Sequence, residues 1–103
     1  MSEAQAVTDT PGIARELTAF QQNILTILAE EPRYGLAIKR ELESYYDSEV
    51  NHGRLYPNLD TLVDKGLVEK GQRDRRTNFY TLTRRGRREI AARRDWENQY
   101  VDL

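Results

Sequence analysis

The apolar residues between positions 51 and 66 recur with the period of a helix. They form one stripe at i, i+4, i+7 and i+8, made of Leu55, Leu59, Leu62 and Val63. Asn51 is a favoured N-cap residue type, and Gly66 is the type expected just past a helix C-terminus. The pattern predicts a short helix that buries one face and leaves the other open.

The open face of this predicted helix carries side chains that can exchange hydrogen bonds with base edges and phosphates. They are His52, Arg54, Tyr56, Asn58, Thr61 and Lys65. A helix with a buried back and a polar N-terminal half fits the major groove of DNA. An ordinary amphipathic surface helix fits this segment equally well, so the neighbouring elements must decide between the two.

Two helical patterns precede this segment. The first begins at Thr18 and Gln21, which fit a capping box, and it ends before Pro32. Its apolar stripe is Leu17, Phe20, Ile24, Ile27 and Leu28. The second runs from Tyr34–Gly35 to about Tyr46, and its expected core-facing residues are Ile38, Leu42 and Tyr45. A short connector then leads to Asn51, so the chain predicts a helix-turn-helix.

A β-hairpin is predicted after Gly66. Residues 67–70 are compatible with a strand, residues 71–76 form a polar turn, and residues 78–82 are aromatic and β-branched. Beside a helix-turn-helix such a hairpin is a wing, whose tip can reach phosphates or the minor groove. The DNA contacts expected from it are Arg73, Arg75, Arg76, Thr77 and Asn78. A solvated turn is the alternative, but three arginines in four positions favour the wing.

The last predicted helix begins after Thr83 and runs to about Val101. Arginines cover much of it, and its large apolar residues are Ile90, Trp96, Tyr100 and Leu103. A small domain leaves little for this helix to pack against, so a partner subunit is the expected cover for the stripe with Trp96 and Tyr100.

Length and composition limit the classes of protein. The 103 residues fit one domain with a modest core, 38% of the residues are hydrophobic, and there is no Cys for a disulfide, thiolate metal site or thiol switch. No apolar run has membrane-spanning length and no signal-peptide pattern is present, so we expect a soluble cytoplasmic protein without a membrane partner. The expected organisation is a flexible tail over residues 1–14, a winged helix-turn-helix over 15–82 and a dimerisation helix over 83–103.

The net charge of −1 hides an uneven distribution. Residues 1–50 carry −5, residues 51–103 carry +4, and the window from Arg73 to Arg94 carries +7. Basic charge is therefore concentrated just after the predicted helix at residues 51–66, the one that would enter the major groove, and phosphates would be expected there. The 3 Lys against 13 Arg, with abundant Asp and Glu, are typical of a salt-loving organism or of a GC-rich genome.

Catalysis is not expected from this sequence. There is one His and no Cys, and we find no Gly-rich phosphate loop, HExxH motif or paired-carboxylate spacing. His52 as a metal ligand would lack neighbours of ligand type, so a base contact or other polar contact is the preferred interpretation. We expect neither a cofactor nor a metal site.

Three segments together resemble the PadR family of winged-helix transcriptional regulators: YGLAIKRELESYY, HGRLYPNLDTLVDKGLVEKG and RRTNFYTLTRRGRREI. The resemblance covers residues 18–97, and the combination is specific where each piece alone is not. Within the family the chain is most similar to short haloarchaeal members, which implies a role in a stress response. The larger members carry a longer C-terminal domain, of which one helix has a counterpart here.

The resemblance implies a mainly α-helical winged helix-turn-helix with a small β-hairpin and an extra C-terminal dimerisation helix. It implies a homodimer that binds a pseudo-palindromic site in double-stranded DNA, with the third helix in the major groove. The helix residues in the family's contact region are Asn51, His52, Gly53, Arg54, Tyr56, Pro57 and Asn58. The implied dimer interface uses the last helix and the first, through Phe20, Ile24, Ile90, Trp96 and Tyr100.

Two further functions remain open at this point. One is a winged helix that serves protein interaction alone, against which the arginines of the hairpin tip argue. The other is a ligand-binding dimer with an aromatic slot built by Trp96. The sequence identifies no small-molecule effector.

Overall fold

A computed structural model describes residues 16–72 and 78–101 of the chain. In chain order the elements are α1 (Ala19–Glu30), β1 (Arg33–Tyr34), α2 (Gly35–Tyr46), α3 (His52–Asp64), β2 (Val68–Gln72), β3 (Asn78–Leu82) and α4 (Arg84–Asn98). The mainly α-helical winged helix-turn-helix with a β-hairpin is confirmed. No helix in the described part is both long and apolar enough to cross a membrane.

The helix ends follow from local hydrogen bonds. Thr18 and Gln21 form the predicted capping box at the start of α1. Asn51 caps α3, and Thr83 caps α4 by accepting from the backbone N–H of Gly86. Gly66 follows α3 with a φ of 77°, a conformation that costs glycine little. These caps were predictable because each joins residues three positions apart.

The sheet has three antiparallel strands in the order β1-β3-β2, one more than the sequence predicted. The hairpin pairs Val68 with Leu82 and Gln72 with Asn78. The added strand pairs Arg33 with Tyr80, so the segment between α1 and α2 also belongs to the sheet. Two residues are too short a run to show the alternation that marks a strand in a sequence.

The core forms where α1, α2 and α3 meet the sheet. Its fully buried side chains include Ile24, Leu25, Leu28, Ile38, Leu42, Leu55, Leu59, Leu62 and Tyr80. The prediction that Tyr45 faces the core was wrong, because its side chain is 73% exposed and its neighbour Tyr46 packs against the core instead. The helix period does place Tyr45 on the stripe, at i+7 from Ile38, but in the last turn of α2 it is Tyr46 that meets Phe20 and Asn23 of α1.

The connector between α2 and α3 is held by one carboxylate. Glu43 Oε2 lies 2.9 Å from the backbone nitrogen of Val50 and 2.7 Å from Lys39 Nζ. The hydrogen bond from Lys39, followed by the one from Val50, lowers the pKa of Glu43. Asp47 ends α2 with a φ of 55°, and Val50 is buried. These contacts fix the direction in which the chain enters α3.

Candidate nucleic-acid interface

The first turn of α3 is open to solvent. Asn51, His52, Gly53 and Arg54 are exposed, and so is Pro57 one turn later. Asn51 Oδ1 accepts a hydrogen bond of 2.8 Å from the backbone N–H of Arg54. The side-chain oxygen of Asn51 is therefore engaged as a helix cap, and its amide N–H groups are the part that can meet DNA.

His52 and Tyr56 form an aromatic pair on this helix. Their rings are 5.4 Å apart and nearly parallel, at an interplanar angle of 10°. The Tyr56 ring also lies against Gly35, where an added Cβ would be 2.5 Å from the Tyr56 hydroxyl. Gly35 therefore leaves room for the Tyr56 ring, and a larger residue at this position would require the ring to shift. The spacing of the sequence did not reveal that contact.

Arg54 lies over two aromatic rings. Its guanidinium carbon is 4.0 Å from the centroid of the Phe20 ring and 5.7 Å from that of Tyr46. Those two rings stack on each other with centroids 6.1 Å apart, and Asn23 donates to the Tyr46 hydroxyl at 2.9 Å. The predicted contact residue Arg54 is thus exposed, while its guanidinium packs on Phe20 of α1 and Tyr46 of α2.

Asn58 does not lie on an open face as the helical pattern suggested. Its Oδ1 accepts a 2.8 Å hydrogen bond from Gln21 Nε2, and its Nδ2 donates to the backbone carbonyl of Arg54 at 2.7 Å. Gln21 is itself buried and uses its Oε1 in the capping box. The helical period cannot predict this network, because it joins residues 37 positions apart. Asn58 is only partly accessible as a result.

The wing strands lie beside α3. Lys70 Nζ of β2 is 3.7 Å from Asp60 Oδ1 of α3. Tyr80 faces the core, and burial raises its pKa. Asn78, a predicted contact, begins β3 opposite Gln72 and is partly buried. The predicted contacts Arg73, Arg75, Arg76 and Thr77 lie outside the described residues.

The predicted dimer residues divide into two groups. Phe20 and Ile24 are 4% and 0% exposed within the chain itself, so neither offers a side chain to a partner. Both belong to the apolar stripe of α1, and that stripe packs into the core of the same chain. Trp96 and Tyr100 are 53% and 70% exposed, with ring centroids 5.2 Å apart. Ile90 is half-buried and lines a groove of about 470 Å³ between α1 and α4.

The described residues hold no cluster of His, Cys, Asp or Glu that could bind a metal ion. His52 stacks on the ring of Tyr56, and its role as a polar or base contact stays a prediction.

Comparison with known proteins identifies the family. The transcriptional regulator PadR-like family matches residues 24–92. A structure of RosR from Halobacterium salinarum is 65% identical with a TM-score of 0.82, over 84% of this chain and 78% of that chain. The complex termed RosR-S1 gives the same identity and TM-score, over 84% and 77%. A search of curated proteins finds no match.

More distant structures share the fold. A PadR-like transcription factor from Bacteroides fragilis is 23% identical with a TM-score of 0.67, over 77% of this chain and 81% of that chain. Together with the helix-turn-helix and the wing strands, the matches do not favour a module for protein interaction or ligand binding alone. The chain belongs to the PadR-like family of transcriptional regulators and is a DNA-binding regulator of transcription.

Proposed function

We propose that the chain binds a pseudo-palindromic operator as a homodimer, with the first turns of α3 in the major groove and the hairpin beside it. The observation that carries this proposal is the exposed, capped first turn of α3, from Asn51 to Arg54. The N-terminus of a helix carries partial positive charge and free N–H groups, which favour a phosphate nearby.

The side chains of this turn suit base recognition. Arg54 has five N–H donors in a planar fork, and bidentate contact with guanine is the commonest specific contact in the major groove. His52 can donate or accept, and Gly53 adds no side chain to the surface. In this proposal Arg54 and His52 read bases, while Asn51 and the wing tip position the protein on the backbone.

Substitution of Arg54 tests the reading surface. The operator is first selected from random DNA with the wild-type protein, and binding is measured by fluorescence anisotropy. We expect Arg54→Ala to weaken operator binding by about 1–3 kcal/mol and to relax the preference at one position of each half-site. Arg40→Ala, at an exposed position of α2 outside the Arg73–Arg94 window, is the control and should change binding by less than about 0.5 kcal/mol. Equal losses on operator and scrambled DNA would show that Arg54 contacts only phosphate.

We propose that Trp96 and Tyr100 lie in the dimer interface. Large exposed aromatic side chains at the end of α4 support this, because a partner subunit would remove their surface from water. A dimer would place two copies of α3 about 34–36 Å apart, one turn of DNA. We include the groove between α1 and α4, which Ile90 lines, in the proposed interface. On α1 the interface would then use polar groove residues such as Thr26, and not Phe20 or Ile24.

The oligomeric state tests this interface. Trp96→Ala should shift the protein toward monomer in light scattering and lower operator affinity, since the two half-sites need two linked helices. Tyr45→Ala removes another exposed aromatic side chain, on α2, and should leave the dimer intact. An intact Trp96→Ala dimer at assay concentration would place the interface elsewhere.

A regulator that binds the chromosome acts in the compartment that holds it, and we propose that this is the cytoplasm. We also propose that the chain carries out no catalysis. The role in a stress response stays a prediction.

A further inference from the structure

Two neighbouring residues of α1 both converge on Arg54 of α3. The Phe20 ring lies 4.0 Å from the guanidinium carbon. Gln21 donates to Asn58 at 2.8 Å, and Asn58 in turn donates to the Arg54 carbonyl at 2.7 Å. One residue therefore contacts the side chain of Arg54, and the next fixes the turn of backbone that carries it.

The aromatic contact leaves the donors of Arg54 usable. An aromatic ring attracts a guanidinium through its face, while the N–H groups of the guanidinium lie in its plane and can still donate. The Phe20 ring cannot move far, because it is buried and stacks on Tyr46. Tyr46 is in turn held by a hydrogen bond from Asn23. A side chain restrained in this way loses less conformational entropy when it binds a base.

The amide network also has a defined direction. Gln21 Oε1 accepts from the backbone N–H of Thr18, which leaves Gln21 Nε2 to donate to Asn58 Oδ1. With its oxygen toward Gln21, Asn58 must turn its Nδ2 toward the Arg54 carbonyl. The orientation of one amide therefore sets that of the next.

We propose that Phe20 and Gln21 are positioning residues for Arg54, so that α1 contributes to the base preference of α3. This inference rests on the proposed function, in which Arg54 reads a base. It assigns to α1 a part in specificity that is separate from its part in the core, and it assigns Phe20 a role other than the dimer interface.

Gln21→Glu separates positioning from folding. Glutamate keeps the acceptor for the Thr18 N–H, and Glu is a preferred residue at this position of a capping box. It cannot donate to Asn58 Oδ1, so the Asn58 amide must turn toward it and release the Arg54 carbonyl. The thermal midpoint should fall, because a carboxylate is placed at a buried position, and the test therefore uses a quantity that does not depend on the fraction of folded protein. Gln22→Glu makes the same charge change one residue along α1 and serves as the matched control.

The measured quantity is discrimination, the ratio of affinity for the selected operator to affinity for operators changed at the base that Arg54 reads. A loss of folded protein lowers both affinities and leaves this ratio unchanged. We expect Arg54→Ala to lower it roughly 5- to 150-fold and Gln21→Glu to lower it by about threefold or more. Gln22→Glu should leave the ratio as in the wild type.

Phe20→Leu tests the aromatic contact while keeping an apolar side chain in the core. Tyr46→Leu, at a half-buried position of the same aromatic pair, covers the case in which Phe20→Leu does not fold. Each variant is combined with Arg54→Ala. If the Phe20 ring acts through Arg54, the ring substitution should lower discrimination when Arg54 is present. It should have no further effect in the Arg54→Ala background.

The outcomes distinguish the two proposals. The inference is supported if discrimination is lost in Arg54→Ala, in Gln21→Glu and in the ring variant, and if the losses are not additive in the double variants. If Arg54→Ala loses discrimination but Gln21→Glu keeps it, or if the effects in the double variants are additive, positioning by α1 is overturned. The proposed role of Arg54 in reading a base is then retained. If Arg54→Ala keeps full discrimination, the proposed reading role of Arg54 fails, and the inference with it.

Discussion

Gly86 shows how closely α4 approaches the start of the wing. A Cβ at this position would be 2.3 Å from the carbonyl oxygen of Leu67 and 2.6 Å from Leu82 Cδ1. The Leu67 carbonyl cannot easily move, because it accepts the backbone N–H of Thr83 at 3.0 Å. The methyl group of an alanine would therefore have to displace backbone.

Gly86→Ala is expected to destabilise the protein by about 1–3 kcal/mol, the usual cost of overpacking, in urea unfolding. Gly53→Ala is the matched comparison in the first turn of α3, where the nearest atom to a Cβ is Asn51 Oδ1 at 3.4 Å. There the change should be neutral or stabilising by up to about 1 kcal/mol, because alanine is the better helix former. Equal effects at the two glycines would contradict the packing described for α4.

The titration of Glu43 should affect stability. Its pKa is lowered in the folded chain, so the ionised form is favoured by folding. Its contribution is complete above the ordinary value of 4.5 and is lost as the pH falls through the lowered pKa. Glu43→Gln should therefore lower the thermal midpoint at pH 7, and the difference from the wild type should disappear in acid.

The matched control is Glu49→Gln, at an exposed position of the connector between α2 and α3. It removes one charge from the same segment and should leave the midpoint close to that of the wild type. A deficit of Glu43→Gln that stayed constant from pH 7 to pH 3 would mean that the contacts of Glu43 with Val50 and Lys39 do not depend on its charge.

Whether the role of a residue could be predicted depends on how far apart in the sequence its contacts lie. The roles of Thr18, Asn51 and Thr83 were predictable, because a cap joins a side chain to a backbone N–H three residues away. The surroundings of Arg54 and Asn58 were not, because they depend on where α1 lies against α3. Helical spacing assigns a face to a residue and does not say which element covers that face.

Among the elements, the helices and the hairpin were predicted within a few residues of their ends. The expected end of α4 was Val101, whereas the helix ends at Asn98. β1 was missed because its two residues take part in the sheet only through pairing with β3, more than forty residues away. The hairpin is thus attached to the helix-turn-helix through β1 as well as through α3.

The wing prediction belongs to this scale. Arg75→Ala and Arg76→Ala should lower affinity for all DNA sequences to a similar extent and reduce the salt slope by about 1 each, because phosphate contacts carry no sequence information directly. The measurement is anisotropy on operator and scrambled DNA at several salt concentrations. Full affinity at the same salt would show that the tip does not touch DNA.

For the whole molecule, the charge pattern predicts an unusual response to salt. Residues 1–50 carry −5 and the Arg73–Arg94 window carries +7. The 65% identity with a protein of Halobacterium salinarum favours the salt-loving alternative for the composition. In molar salt the Debye length is about 3 Å, and counterion release supplies little driving force. Binding must then rest on direct hydrogen bonds, apolar contacts and shape.

We therefore expect operator affinity to fall much less steeply with salt than for a basic regulator, and to rise over part of the range as the repulsion of DNA by the acidic half is screened. The measurement is log K against log[KCl] from dilute to molar salt. A steep negative slope throughout, of the size expected for several neutralised phosphates, would show that the arginine window dominates binding.

The hydrogen bond between Gln21 and Asn58 has a consequence for how such a regulator changes its operator. A substitution of Asn58 removes the hydrogen-bond acceptor of Gln21. A substitution of Arg54 removes the guanidinium that packs on the Phe20 ring. The two helices would then evolve as a pair, and positions 20, 21, 54 and 58 should co-vary among relatives that bind different operators. A chimera that receives only α3 from another regulator should inherit its DNA preference incompletely, and one that also receives residues 18–21 should inherit more of it.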